Sequence, residues 1–317
     1  MPNTKKNDRL YRTMIGGQAL IQGIMMRGPE KTSIVVRTPE ELKIDVKEKP
    51  LLRDRYKILG IPVIRGAVGL FESMATGISA LTWSAEFYAE EDPAVEPSKF
   101  DKWIENKFGM EKAMKIAMGI AVVVGVALPV GLFILLPTLL AGFMDSAVTS
   151  RVLRNLVEGG LRMVIFLLFM FAVSRTKDIQ RVFAYHGAEH KTIHCYENGD
   201  ELTVENVKKY PKEHPRCGTS FLLIVMVISI LVFSFVTWTN PWMRMALRLL
   251  CLPLVIGLSY EANRFIGKYD NFLTMALRAP GVWLQKLTTN EPDDSMIEVG
   301  IEALKLVIPG EKGSDKW

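Results

Sequence analysis

Charged positions vanish from two long stretches of this chain. From Ile116 to Met144, and again from Cys217 to Met243, no Asp, Glu, Lys or Arg occurs, and each run exceeds the roughly 20 apolar residues that span a bilayer core. A weaker run follows each. Leu156 to Ser174 carries Glu158 and Arg162 ahead of MVIFLLFMFAV, and Met245 to Tyr260 carries Arg248 ahead of LLCLPLVIGLSY. Both predict spans whose arginine snorkels toward a headgroup. The pattern is two hairpins in series, turning near Asp145 to Asn155 and near Thr239 to Arg244. It predicts a mainly α, polytopic membrane bundle of about four transmembrane helices.

Outside these runs the periodicity changes. Residues 14 to 50 alternate in short apolar stretches, QALIQGIMMRG, TSIVVRT and LKIDVK, separated by Gly28-Pro29-Glu30 and Pro39-Glu40-Glu41; this predicts a small β-meander. Ile61 to Trp83 is apolar at helical spacing but carries Arg65 and Glu72, which fits an amphipathic helix on the membrane better than a fifth span. Glu86 to Asp101 is acidic with two prolines and reads as a connector. Asp270 to Thr288 is helical in composition but interrupted at Ala279-Pro280-Gly281. Pro292 then opens a last helix with acids in its first turn, and Gly310 to Trp317 reads as a frayed tail.

These segments divide the chain into a cytoplasmic N-terminal part with strands (1–60), an amphipathic helix and connector (61–113) and a first hairpin (114–174). A cytoplasmic histidine-rich loop (175–216), a second hairpin (217–266) and C-terminal cytoplasmic helices (267–317) follow.

Lysine and arginine set orientation. They crowd the stretch before the first span (Lys5, Lys6, Arg9, Arg12, Arg53, Arg55, Lys57), and the 175–216 loop holds eight, whereas the hairpin turns carry only Arg151 with Arg154 and Arg244 with Arg248. Both termini and the loop are therefore expected on the cytoplasmic side of the plasma membrane. The net charge of +5 then follows from basic residues flanking spans and meeting anionic lipid. No aromatic-interleaved basic stripe suggests nucleic acid. The N-terminus has no apolar core behind its charges, so no cleaved signal is expected. The three cysteines, Cys195, Cys217 and Cys251, are expected as free thiols. The bilayer is the expected partner, with any substrate, protein partner and oligomeric state left open.

All four histidines lie between His186 and His214, in AYHGAEHKTIHCYE and HPRCGTSF. His186, His190 and His194 fall at steps of four, on one face of a helix predicted over Asp178 to Glu197. His-x-x-Glu-His offers a cation two imidazoles with Glu189 beside them, the ligand order of inverted zinc proteases. Such a site needs a further ligand. Glu261, closing the fourth span in SYEANRF, is the best distant carboxylate; its competing partner is Arg264 at i+3. His214 is a second candidate for the same metal. Alternatively His214 and Cys217 join His194 and Cys195 in a structural zinc site, or HPRC is a Pro-Arg turn entering the membrane with Cys217 as a small buried thiol. The implied cofactor is a divalent cation of zinc type.

GGQALIQGIMMRGP, YHGAEHKTIHCYE and HPRCGTSF together resemble the YqhQ-like family, bacterial membrane proteins of unknown function labelled predicted metal-dependent enzymes. The resemblance runs from about Gly16 to Ile308. It implies a membrane location and one functional set comprising Gly17, Gln18, Met26, Arg27, His186, Glu189, His190, His194, His214 and Cys217. Its implied geometry folds the glycine-rich strand over the metal helix, with Arg27 offering charge to an anion.

The resulting expectation is a membrane-embedded, cytoplasm-facing zinc-type hydrolase, with His186 and His190 on the metal, Glu189 as general base, and Glu261 or His214 completing the shell. The rivals are a non-enzymatic membrane factor with a structural histidine or metal site, and a cation transporter. Transport is disfavoured because the two strongest spans carry no ionisable residue.

Overall fold

In the computed structural model, which describes residues 11–48, 55–91, 109–143, 150–236, 240–269, 271–311 and 313–316, the N-terminal apolar stretches form a four-stranded antiparallel meander. Its strands are β1 (Gly16–Leu20), β2 (Gly23–Arg27), β3 (Lys31–Arg37) and β4 (Leu42–Glu48), in that order across the sheet. The expected single strand QALIQGIMMRG is thus two. The chain folds back where Gln22 adopts φ 57°, and the Gln22 carbonyl accepts the Arg37 N–H at 2.8 Å.

Ten α-helices follow among the described residues: α1 (Ile64–Glu91), α2 (Met110–Val130), α3 (Leu136–Gly142), α4 (Arg151–Val173), α5 (Lys177–Glu197), α6 (Val204–Lys208), α7 (Gly218–Ser234), α8 (Pro241–Lys268), α9 (Phe272–Thr288) and α10 (Asp294–Lys305). A π-helical stretch, Gly131–Leu135, joins α2 to α3 just after Pro129, a residue that cannot supply its helical N–H. Lys5, Lys6, Arg9, Arg53, the connector from residue 92 to 101 and the turn residues 144–149 and 237–239 lie outside the described residues.

The described chain divides into two compact units. One gathers Met1–Tyr88, Ala172–Ile224 and Ile256–Trp317; the other gathers Ala89–Phe171 and Val225–Val255.

In the first unit the sheet is buried on both faces. Ile24, Met26 and Val35 pack with Tyr185 and Ala188 of α5 and with Ile297, Ile301 and Leu304 of α10. Met25, Ile34 and Val36 turn the other way, toward Ala80, Leu81 and Trp83 of α1. Two buried faces explain why β2 and β3 read as continuous apolar runs. β4 closes the edge with Lys43, Asp45, Lys47 and Glu48, charges that discourage further strand pairing.

Two sequence expectations change here. α9 runs unbroken through Pro280, with Gly281 packed so closely on Ser220 that an added Cβ would lie 2.4 Å from its hydroxyl oxygen; tertiary packing overrides the local breaker. The tail is also tied down. Asp315 is buried and accepts hydrogen bonds from Tyr11, from Thr13 at 2.5 Å and from Tyr196 at 3.1 Å, and Met14 N–H reaches the Asp315 carbonyl at 2.6 Å.

Among the described residues three helices are long and apolar enough to cross a membrane: Gly119–Gly142, Leu153–Val173 and Trp242–Lys268. The expected span from Cys217 to Met243 is shorter than its composition suggested. Its helix, α7, ends at Ser234 after 17 residues, about 25 Å of rise.

The arginines of the weaker runs do not snorkel. Within the second unit Arg162 and Arg248 are 3% and 1% exposed and both turn onto the buried Glu158. Arg248 Nη2 donates to Glu158 Oε2 at 2.9 Å, and Arg162 Nη2 reaches Glu158 Oε1 at 3.4 Å. A carboxylate on the same helix face, four residues before Arg162, offers a closer counter-charge than a headgroup does.

Candidate metal centre

α5 carries the site because its second half is buried on nearly every side although its residues are polar. A helix enclosed this way is usually apolar all round, so each polar side chain here needs a partner. Thr192 bonds back to the Ala188 carbonyl at 2.7 Å, and Lys191 pairs with Glu291 at 2.8 Å. Glu197 accepts the Thr13 N–H at 2.9 Å and pairs with Arg216. Two glycine positions make the enclosure possible. A Cβ on Gly187 would stand 2.1 Å from the Asn290 carbonyl, and one on Gly17 would stand 2.6 Å from the Met25 carbonyl and 3.0 Å from Glu189 Cδ.

The chain preceding α7 supplies partners to the histidines. Lys212 and Glu213 present successive carbonyls: His190 Nδ1 donates to the first at 2.6 Å and His194 Nε2 to the second at 2.9 Å. His186 Nδ1 donates to the Thr288 carbonyl, at the end of α9, at 2.9 Å. A carbonyl only accepts, so it fixes the tautomer and leaves the opposite ring nitrogen with its lone pair free. His186 and His190 therefore both present Nε2.

Those two histidines meet a third donor, Cys217. One ligand atom from each of His186, His190 and Cys217 lies within 4.8 Å of the others, His186 Nε2 is 3.3 Å from Cys217 Sγ, and the two imidazole centroids are 4.3 Å apart. Thr219 directs its N–H and its hydroxyl at the sulfur, at 3.4 and 3.3 Å. Two imidazoles, each with its other nitrogen on a carbonyl, and a hydrogen-bonded sulfur form a donor set that could hold a metal ion. Glu189 stands beside them: Oε2 is 4.0 Å from His186 Nε2, and Oε1 accepts the Gly17 N–H at 2.9 Å.

His194 and His214 form a second group with Glu197, again with donor atoms within 4.8 Å of one another, but His214 and Glu197 are already engaged with each other and with Arg216. His214 Nδ1 accepts the Arg216 N–H at 3.3 Å, so Nε2 carries the proton and faces Glu197 at 3.4 Å. Arg216 covers the other Glu197 oxygen. This group is a hydrogen-bonded ion-pair cluster that buttresses the first.

Burial sets the electrostatics. It pushes the His190 imidazole down to about 4 against the favourable pull of Cys217, and lowers His194 and, further, His214, where His194 and Arg216 add to it. Burial raises the Glu189 carboxyl, opposed in part by His186 and the Gly17 N–H.

The other residues singled out in the sequence fall elsewhere. Glu261 belongs to neither donor group among the described residues. Its Oε1 accepts from Arg65 Nε at 2.7 Å and from the Val63 N–H at 3.2 Å, and Arg264 acts on it only as a nearby charge. It anchors the entry to α1, where Val63 sits at φ 71°. Cys195 faces the Asp200 and Glu201 carbonyls at 3.9 and 3.6 Å, away from any zinc-type grouping with His214. Gln18 packs against Gly77, Met26 is core, and Arg27 reaches Ser73 at 3.3 Å.

Sequence reasoning placed Cys217 with His194 and Cys195 or in the core; the fold places it with His186 and His190. It also passed over Glu197, although that residue continues the histidine stripe at i+3 from His194, and Gln285, which holds the His214 backbone by two hydrogen bonds.

With the geometry in view, the comparisons with known proteins fall into place. The family described as Protein of unknown function (DUF1385) matches residues 61–309. The chain belongs to that family. It is 31% identical over 296 residues to the Uncharacterized protein YqhQ of Bacillus subtilis (strain 168), covering 91% of this chain and 90% of that one. No solved structure matches it. The YqhQ-like resemblance read from three motifs therefore holds for most of the chain.

Proposed function

We propose that this chain is a membrane-embedded, metal-dependent hydrolase that holds a divalent cation of zinc type through His186, His190 and Cys217, with Glu189 as its general base. The observation that carries the reading is the convergence of those three donors within 4.8 Å, with Glu189 beside them and outside the set. Three protein ligands with a carboxylate at hand is the composition of a catalytic rather than a closed structural site. The cation, when bound, supplies Lewis acidity and brings the pKa of a water near neutrality. Glu189 takes the proton from the attacking water and returns it to the leaving group; its raised affinity for protons suits both steps. The Gly17 N–H orients that carboxylate. His186, the most open of the four side chains at 15% exposure, marks the side from which substrate would approach.

Embedding is supported by the three apolar helices and by their outward-facing Val123, Leu168 and Leu250. Counting α7 as a fourth, short span, the Lys and Arg distribution favours a centre on the cytoplasmic face of the plasma membrane.

A structural reading of the same ligands is favoured by one observation: His190, Glu189 and Cys217 are all less than a tenth exposed. There the cation would staple residues 209–217 to α5.

Elemental analysis of the full chain purified in detergent tests the metal. About one equivalent of zinc-type metal is expected, lost in His190→Ala and Cys217→Ser and kept in Glu189→Gln. A parent protein with no stoichiometric metal sinks the proposal. Complementation of cells lacking the gene separates the two readings: Glu189→Gln retaining metal but failing to complement favours chemistry, and full complementation favours the staple.

A further inference from the structure

A second concentration of buried charge lies far along the chain from the histidines, in the unit formed by Ala89–Phe171 and Val225–Val255. Glu158, Arg162, Arg244 and Arg248 are 2, 3, 6 and 1% exposed. All four belong to the helices α4 and α8 that carry candidate spans. Arg162 and Arg248 share the Glu158 carboxylate there, and Arg244, buried with Nε and Nη2 unpartnered, has no ion pair among the described residues, so positive charge exceeds negative among these buried groups. Burying an uncompensated ion is costly even after relaxation, so the arrangement calls for an anion.

The donors that would receive it are in place. Glu158 engages both Arg162 and Arg248; Thr138 takes an Arg248 N–H at 2.6 Å and Ser229 an Arg162 N–H at 2.8 Å. Those contacts use the guanidinium tips. Nε of Arg162, Nε of Arg248, and Nε and Nη2 of Arg244 are buried with no hydrogen-bond partner. Arg162 and Arg248 line a narrow, partly open cleft with room for about one water, walled also by Asn155, Phe233 and Ser234. Arg244 lies one turn before Arg248 on the same helix face.

Position names the ligand class. At 1.5 Å per residue the four side chains start roughly 3 to 14 Å inside the span ends at Leu153 and Trp242, within reach of a headgroup phosphate. Around them Leu156, Phe235 and Leu250 are exposed at 58, 85 and 76%, an apolar surface suited to acyl chains. Guanidinium groups bind phosphate oxygens through paired N–H bonds, and basic pockets between spanning helices take anionic headgroups.

We propose that Arg162, Arg244 and Arg248 form a phosphate site at which an anionic phospholipid seats a headgroup oxygen. The site rests on α4 and α8 being membrane spans and is independent of the metal reading. Glu158 holds two of the guanidiniums apart and facing the cavity, and limits the affinity for a free anion.

The full chain, delipidated in neutral detergent, is melted during titration with phosphatidylglycerol, phosphatidylcholine or inorganic phosphate. Phosphatidylglycerol is expected to raise the melting temperature saturably, and phosphatidylcholine to do so weakly. Arg244→Gln, which leaves the Glu158 pairs intact, should weaken the phosphatidylglycerol effect at least about tenfold in concentration. A matching rise with inorganic phosphate also supports the site and makes a free oxyanion sufficient; a rise with phosphatidylglycerol alone assigns it to lipid. Equal response to both lipids without any response to phosphate overturns the proposal, as does an unchanged titration in Arg244→Gln. Where Arg244→Gln fails to fold, Arg244→Lys keeps the charge and removes the planar fork, and unchanged binding in that variant overturns the guanidinium assignment. A chain that stays soluble without detergent would refute the spans themselves, a result separable from failed lipid binding.

Discussion

Replacing Gln285 by leucine asks whether the metal centre depends on a residue that touches none of its ligands. Gln285 is fully buried in α9. Its Oε1 accepts the His214 N–H at 2.7 Å, and its Nε2 donates to the His214 carbonyl at 2.8 Å and to Ser220 Oγ at 3.4 Å. Leucine has a similar volume but orphans both backbone groups of His214. Each orphaned buried group costs about 1–3 kcal/mol, so two cost about 4; water reaching the loosened segment returns part of this, leaving about 3 kcal/mol. That is on the order of 100-fold in the opening equilibrium of residues 209–217. The segment bears Cys217 and the Lys212 carbonyl that orients His190, so zinc affinity should fall about 10–100-fold, as when outer-shell support is lost.

The assay is amide hydrogen exchange resolved by segment in the metal-free protein, with zinc affinity measured by competition against a chromophoric chelator. Peptides covering 209–217 should exchange on the order of 100-fold faster in Gln285→Leu, while β2 and β3 keep their protection. Gln285→Glu, which keeps the acceptor for the His214 N–H, should fall between. Unchanged exchange at 209–217 together with zinc affinity within about twofold of the parent would refute the argument.

Glu261→Ala should keep its full metal content, because Glu261 serves Arg65 and Val63, while losing about 1–3 kcal/mol at the entry to α1; metal loss on elemental analysis would put Glu261 back among the ligands. Gly187→Ala should destabilise by about 1–3 kcal/mol through overpacking, since its Cβ would stand 2.1 Å from the Asn290 carbonyl, and a gain in melting temperature from better helix propensity would contradict that packing. Chelator-treated protein should lose stability in mild acid: unfolded histidines protonate near 6.5, burial holds folded His190 down to about 4, and the unfolded chain therefore binds more protons between those values. This contribution is complete above pH 6.5 and disappears as pH falls toward 4, about 3 kcal/mol for His190. Glu189, raised by burial, slopes the opposite way, so the unfolding series is run in Glu189→Gln; a flat profile there from pH 7 to 4.5 counts against neutral buried imidazoles. Asp315→Ala, which leaves Tyr11, Thr13 and Tyr196 without their acceptor, should free the C-terminal residues, read as new protease sensitivity without change in metal content.

The features that sequence made legible are those with local periodicity. Short apolar runs showed the meander, and steps of four put His186, His190 and His194 on one helix face with Glu189 flanking the first pair. Hairpins and breakers were less legible because their outcome depends on packing: Gln22 turns QALIQGIMMRG into two strands, and Gly281 on Ser220 carries α9 through Pro280. Arg162 and Arg248 were expected to reach outward because a lone arginine in an apolar run has nowhere else to go. Glu158, beside Arg162 in the same run, removes that premise.

Cys217 was the hardest of the candidate donors to see, and the reason is geometric. The chain before α7 first follows α5 forward, the Lys212 carbonyl meeting His190 and the Glu213 carbonyl meeting His194. It then turns at Pro215 and Arg216 and runs back, so that Cys217 arrives beside His186 rather than beside the nearer His194. Spacing along the sequence favours His194 and Cys195 as partners for a thiol, whereas the reversal favours the opposite end of the stripe. The turn is held by groups outside the donor set: Gln285 grips the His214 backbone, and Glu197 receives both His214 and Arg216. The His194–Glu197–His214 cluster thereby acquires a positional role. It fixes the reversal that delivers the sulfur, which accounts for histidines that share a face with the candidate donors while His214 and Glu197 are already engaged with each other and with Arg216.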